Sequence, residues 1–370
     1  MFISLVYLDR GGSTTLTGQP LVLFFRAVHF ATRPSMFGEM YRFTSISSIY
    51  HQLNHELICK KVYKQVYKRA IVYYNLTICT EGVGIVKHFR VAADVEIIQE
   101  LLGLSVAELA KQLGVTHQTI YNWKANEEQV ATKNLEKIYD FAYNKNIRLN
   151  KIKEQFSREE CAAGHKVLFH GSKTYIDGVL SVEKAKDGND FGRGFYCGES
   201  LEQSAMFVSN FPASSLYIVN FDPAGLKYVQ LGVTRDWMLL IAYFRKKLDD
   251  YADHPIIQEL LAHLEGVDYI IAPIADNRMF EIIDSFIDGE ITDVQCQHCL
   301  SATNLGNQYV FVTAKALKQV TLLHHCYLAQ AEKKAYLSSK MDEHKISSDK
   351  VKLARKQYRG QGDYIEDILR

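Results

Sequence analysis

The chain has 370 residues, 47% of them hydrophobic and 23% charged, an ordinary globular composition that excludes a wholly disordered or fibrous protein. With 43 Lys and Arg against 42 Asp and Glu, the formal net charge is +1, so a grip on nucleic acid must come from a local patch rather than from the whole surface. No apolar run reaches the roughly 18 residues of a membrane span, and Asp9 with Arg10 interrupts the early apolar stretch that a signal peptide needs.

In chain order, residues 1–90 come first, with 11 basic residues against 4 acids. Only Ile49, Leu53, Leu57, Val62, Val66 and Ile71 fall on a loose helical stripe. Two readings stay open for this segment: a basic arm, or a translation start placed too far upstream. Helical texture begins at residues 94–102 and ends at Gly103. Ser105 then precedes a helix over Val106–Leu113, with Glu108 three residues on as in a capping box. Gly114 closes that helix. Thr116 opens the next, over residues 117–124, and a fourth spans residues 132–143. Residues 144–160 read as a helix end followed by a linker, because they are polar and charged.

From Lys166 the texture changes. Strands are expected at residues 166–170, 215–221, 269–273, 309–313 and 320–323. Helices are expected at 201–210, 236–251, 255–264, 278–288 and 293–303. The fold class is therefore α+β: a small all-α helix-turn-helix domain over 94–148, a larger domain over 166–326, and a tail over 327–370. The tail reads as a solvated helix, since residues 332–370 hold 10 basic groups and 7 acids.

Ala110, Gly114, Ile120 and Trp123 have the spacing of a helix-turn-helix. A small residue lets the helices cross closely, glycine allows the turn, and the larger residues fill the space between them. The second helix offers Thr116, His117, Gln118, Thr119, Tyr121, Asn122 and Lys124 to DNA; Gln118 can read adenine bidentately. Residues 94–150 carry 6 basic groups against 8 acids, so phosphate contact calls for a dimer or for help from the basic N-terminus. The alternative is a scaffold that has lost DNA binding. The segment resembles the DNA-binding domains of the XRE (Cro/C1-type) repressor family, which implies DNA as a partner and a homodimer as a candidate state.

Three strings mark the larger domain. The first is Val167-Leu168-Phe169-His170-Gly171-Ser172, an apolar strand ending in His-Gly. The second is Asp190-Phe191-Gly192-Arg193-Gly194-Phe195-Tyr196-Cys197, and the third Leu305-Gly306-Asn307-Gln308-Tyr309-Val310-Phe311. Each is weak alone; their order and spacing are jointly informative. They resemble the motifs of the ADP-ribosyltransferase superfamily, in the diphtheria-toxin-like branch with a His-Tyr-Glu signature, and more closely a bacterial family of ADP-ribosyltransferase-like domains. The resemblance implies a split β-sheet that clamps NAD, used as a substrate, in a cleft. It places His170, Tyr196 and Gln308 in the catalytic machinery. His170, Gly171, Ser172, Gly192, Gly194 and Tyr196 would bind NAD: His170 on a ribose hydroxyl, the Gly171 backbone on the nicotinamide amide, and Tyr196 as a stacking face. It also implies a macromolecular acceptor for ADP-ribose and a toxin or phage-defence setting with an antitoxin partner. Gln308 stands where the superfamily has glutamate. An amide can bond a ribose but cannot act as a general base, so Asp276, Glu281 and Glu202 are candidate substitutes. A catalytically silent regulator that senses NAD or ADP-ribose is the alternative.

Cys296, His298 and Cys299, with His324, His325 and Cys326, invite a zinc reading. No second CxxC exists, so buried thiols and no metal are expected. Seven cysteines, an odd number, suit a reducing cytoplasm, with no membrane partner.

Overall fold

The computed structural model describes residues 89–176, 178–303 and 306–370. The N-terminal readings over residues 1–88, and Leu305 of the third string, lie outside the described residues. Four helices form the first layer: α1 (Val91–Leu102), α2 (Val106–Leu113), α3 (His117–Ala125) and α4 (Thr132–Asn144). Ser105 and Glu108 close the expected capping box. Gly103 and Gly114 both take φ +64°, the left-handed conformation that lets each helix turn into the next. Val95, Ile98, Leu109, Ala110, Ile120, Trp123 and Ile138 are buried together. Each large apolar side chain there contributes roughly 1.5–3 kcal/mol.

The expected linker is a helix, α5 (Leu149–Glu160). Its polar residues are buried because distant partners satisfy them. The Lys153 ammonium bonds Asp94 Oδ2 of α1 at 2.6 Å, and the Tyr139 hydroxyl of α4 donates to the same oxygen at 2.6 Å. Asn150 Nδ2 donates to the Tyr327 carbonyl at 2.9 Å and to Glu332 at 3.0 Å. A local reading of polarity sees a solvated linker; the partners that make it a core element lie far along the chain.

The second domain is a seven-stranded sheet: β1 (Lys166–Ser172), β2 (Phe195–Gly198), β3 (Ser215–Phe221), β4 (Tyr228–Gln230), β5 (Tyr269–Pro273), β6 (Asn307–Phe311) and β7 (Val320–Cys326). The order is β4-β5-β6-β2-β1-β3-β7. Only β4 and β5 run parallel; every other pair is antiparallel. β1 pairs along its whole length with β3, whereas β1 and β2 share the single pair Phe169 with Gly198. The sheet is thus two blades, β4-β5-β6-β2 and β1-β3-β7, joined at one point. Helix α6 (Leu201–Val208) packs on β1. Helices α7 (Arg235–Phe244), α8 (Pro255–Ala262), α9 (Asn277–Ile287) and α10 (Asp293–Ser301) cover the other blade around Trp237, Leu240, Ile283 and Phe286. A single-turn α11 (Ala314–Leu317) links β6 to β7.

The tail is more than a solvated helix. α12 (Gln330–Gln357) is exposed over much of its length but docks at both ends. Near its start Lys333 Nζ binds the Phe211 and Pro212 carbonyls at 3.1 Å, and the Gln330 amide donates to Glu136 of α4. Near its end Ala354 is buried and the Arg355 carbonyl accepts from Gln295 at 2.8 Å. The last turn, α13 (Ile365–Ile368), drops Ile365 and Leu369 into the core under α10.

Candidate functional site

Side chains alternate across a strand, and residues in antiparallel register share a face. Phe169, Gly198 and Gln308 are in register across β1, β2 and β6. Gln308 and Tyr196 therefore occupy one face of the sheet, and His170, one residue along from Phe169, the other.

On its face His170 stacks on Phe195, with ring centroids 4.2 Å apart, and Tyr217 lies 6.3 Å away. Its Nδ1 is 2.6 Å from the Tyr196 carbonyl. A carbonyl only accepts, so Nδ1 carries the proton and Nε2 keeps a lone pair. Burial pushes the imidazole pKa down to about 4, so the ring is neutral at pH 7 and can accept a hydrogen bond from a ribose hydroxyl.

On the other face the Tyr196 hydroxyl donates to the Gly192 carbonyl at 2.8 Å and accepts from the Phe191 amide at 3.1 Å. Burial raises its pKa. The hydroxyl pins the second motif's turn, where Gly192 takes φ +68°. Gly194 lies so close to β6 that a Cβ would meet Val310 at 2.8 Å, and a Cβ on Gly171 would meet the Ser204 carbonyl of α6 at 2.7 Å. Ser172 ends β1, its hydroxyl 3.4 Å from the Thr174 amide. The Gln308 side chain is buried. Its Nε2 donates to Asp190 Oδ2 at 2.8 Å and to the Pro273 carbonyl at 3.1 Å. Asp190 also accepts from Arg245 Nε at 2.9 Å and from the Ala275 amide at 3.2 Å. The expectation of Gln308 aimed at a ribose thus gives way to an amide locked into a buried Asp190–Arg245 network. Asp190 stands in the second string, but nothing local marked Arg245.

The proposed substitute carboxylates are scattered. Asp276 caps α9, accepting from the Arg278 and Met279 amides. Glu281 faces a cavity beside α12, and Glu202 pairs with Lys151 of α5. A residue the sequence reading passed over, Glu199, follows β2 directly. It lines a cavity of about 300 Å³ at the seam, with Arg158, Cys161, His165, Lys166, Leu168 and Tyr309.

In the first domain, α3 presents Thr116, His117, Gln118, Tyr121 and Asn122 to solvent, with Thr119 half-buried. Thr116 caps the helix by accepting from the Thr119 amide, and Gln118 Nε2 donates to Asn122 at 3.1 Å. Lys124 is the exception among the expected DNA contacts: it turns back to Glu96 of α1 at 3.3 Å and its side chain is 22% exposed. The thiols of Cys296 and Cys299 are buried against the Ile282 and Val351 carbonyls, while His298 stacks on Tyr358.

Residues 96–140 match the family model described as helix-turn-helix. This module is a helix-turn-helix. The match supports DNA binding, and it spans α2, the Gly114 turn and α3. Residues 166–322 match the model described as a protein of unknown function (DUF3990), which ends within β7. No curated protein and no solved structure matches the chain. Among the described residues no helix is long and apolar enough to cross a membrane.

Proposed function

We propose that the domain over residues 166–326 takes NAD as a substrate, breaks its nicotinamide–ribose bond and passes ADP-ribose to a macromolecule, and that the helix-turn-helix brings it to DNA. The seam carries this reading. Past Phe169, β1 has no ladder partner on the β2 side, so the strand edge at His170, Gly171 and Ser172 is open to hydrogen-bond a ligand along the backbone. The neutral His170 imidazole, with its free Nε2, sits at that opening and suits a ribose hydroxyl.

One observation favours the second reading, a regulator that binds NAD or ADP-ribose without turnover. The Gln308 amide is engaged by Asp190, and an amide supplies neither a base nor a negative charge to an oxocarbenium-like centre. Incubation with NAD labelled in its adenylate half separates the two. Nicotinamide release with label on protein or nucleic acid supports the enzyme, binding without release supports the regulator, and no binding overturns both. Selection from a random duplex library tests the DNA half; a protein that enriches no motif has a structural module only.

A further inference from the structure

We infer that Glu199 is the working carboxylate of the seam, activating the ADP-ribose acceptor in the role that Gln308 cannot fill; the inference rests on the NAD-substrate reading above. Cys197 is in register with Tyr309, and the Glu199 amide continues the ladder by donating to the Asn307 carbonyl at 3.3 Å. Glu199 therefore stands on the face of Tyr309 and of His170, whereas Gln308 stands on the opposite one. Three observations place its carboxylate there. Asn307 Nδ2 donates to Glu199 Oε2 at 3.1 Å. Burial, and then the nearby Glu199 carboxylate, raise the Tyr309 pKa, which sets the two groups side by side. Arg158 Nη2 bonds the Glu199 backbone carbonyl at 3.0 Å, which fixes the main chain while leaving the side chain exposed.

The face that holds the neutral His170 thus also holds a tyrosine hydroxyl and a carboxylate; Tyr309 and Glu199 border the cavity with Lys166 and Leu168, and His170 follows one residue past Phe169, the point where the blades join. In the step assigned to it, Glu199 accepts the proton of an acceptor hydroxyl or amine. The acceptor's electron pair forms a bond to the ribose anomeric carbon. The bond from that carbon to the pyridinium nitrogen breaks, and its electron pair stays on nicotinamide, which leaves neutral. The proton on Glu199 returns to solvent.

The test compares the full chain with Glu199→Gln and Glu199→Asp. NAD affinity is read by calorimetry, nicotinamide release is read across pH, and thermal melting monitors the fold. Glu199→Gln keeps the hydrogen-bonding outline and is expected to bind NAD within about twofold of the parent. Its turnover falls by on the order of 100-fold or more, the range for losing a general base. The acid limb of the parent's pH–rate profile disappears with it, and Glu199→Asp restores part of both. Parent-like turnover in Glu199→Gln, or an unchanged acid limb, overturns the inference. A parent that binds NAD but releases no nicotinamide also overturns it and leaves the regulator reading standing. A parent that does not bind NAD overturns the reading beneath it.

Discussion

Lys153→Met probes the least expected feature of the fold, the charged helix α5 that locks the helix-turn-helix to the sheet domain. Lys153 and Asp94 have side chains 2% and 1% exposed. Asp94 Oδ1 has no hydrogen-bond partner among the described residues, so its carboxylate depends on Lys153 and Tyr139 at Oδ2. Methionine fills the lysine's volume but strands that carboxylate in the core. Removing one partner of a buried pair costs about 3–5 kcal/mol, a large share of the roughly 5–15 kcal/mol that stabilises a domain. Removing both charges together, in Asp94→Leu with Lys153→Met, is close to neutral or stabilising, because no charge remains to desolvate. Urea denaturation of parent, both single variants and the double variant measures the coupling directly. A Lys153→Met variant within about 1 kcal/mol of the parent, or a double variant as unstable as the single, refutes the reasoning.

Three further outcomes follow from the same structure. Gln308→Glu sets a second carboxylate at hydrogen-bonding distance from Asp190 and loses a charge-assisted bond worth about 1.5–3 kcal/mol; the variant should melt earlier, more so at pH 8 than at pH 5, and a melting curve unchanged at both pH values contradicts the buried network. His170, held down to about 4 against 6.5 when unfolded, makes the folded chain bind fewer protons between those values. Its stabilisation is therefore complete above pH 6.5 and is lost as pH falls through 4, by roughly 3 kcal/mol at 1.36 kcal/mol per pH unit; His170→Asn should remove about that much of the acid sensitivity, seen as a shallower stability–pH slope. Glu332, pushed up to about 7 by burial, has the opposite sign: the folded chain holds the extra proton between pH 4.5 and 7, so stability falls as pH rises through that window. Glu332→Gln should gain in melting temperature relative to the parent at pH 8 and little at pH 5, and equal gains at both contradict the assignment.

The helices of the first domain were legible because their signals are local. Ser105, Glu108, Gly114 and Thr116 act within one turn, and all four sit where the sequence puts them. The long strands were legible for the same reason, as apolar runs between breakers. What escaped was whatever depends on distant partners. α5 is polar in sequence and buried in space because Asp94, Tyr327 and Glu332 satisfy it. β2 has four residues, preceded by Gly194 and ending in Gly198, too short to show a period, yet it joins the two blades. The site was half legible. The motif strings lie on β1, β2 and β6 around one seam, but which face a side chain takes depends on register, and a one-residue offset reverses it. That offset puts Gln308 with Asp190, and Glu199 with Tyr309 on the face of His170.

We propose, above all, that the seam between the blades is an NAD site. Calorimetric titration of NAD into the full chain and into His170→Ala tests it most directly. Saturable binding is expected of the parent, and binding weaker by about 1–3 kcal/mol of the variant, through loss of one hydrogen bond and the ring that orders the strand edge. Equal affinity in the two proteins, or no binding by the parent, contradicts it.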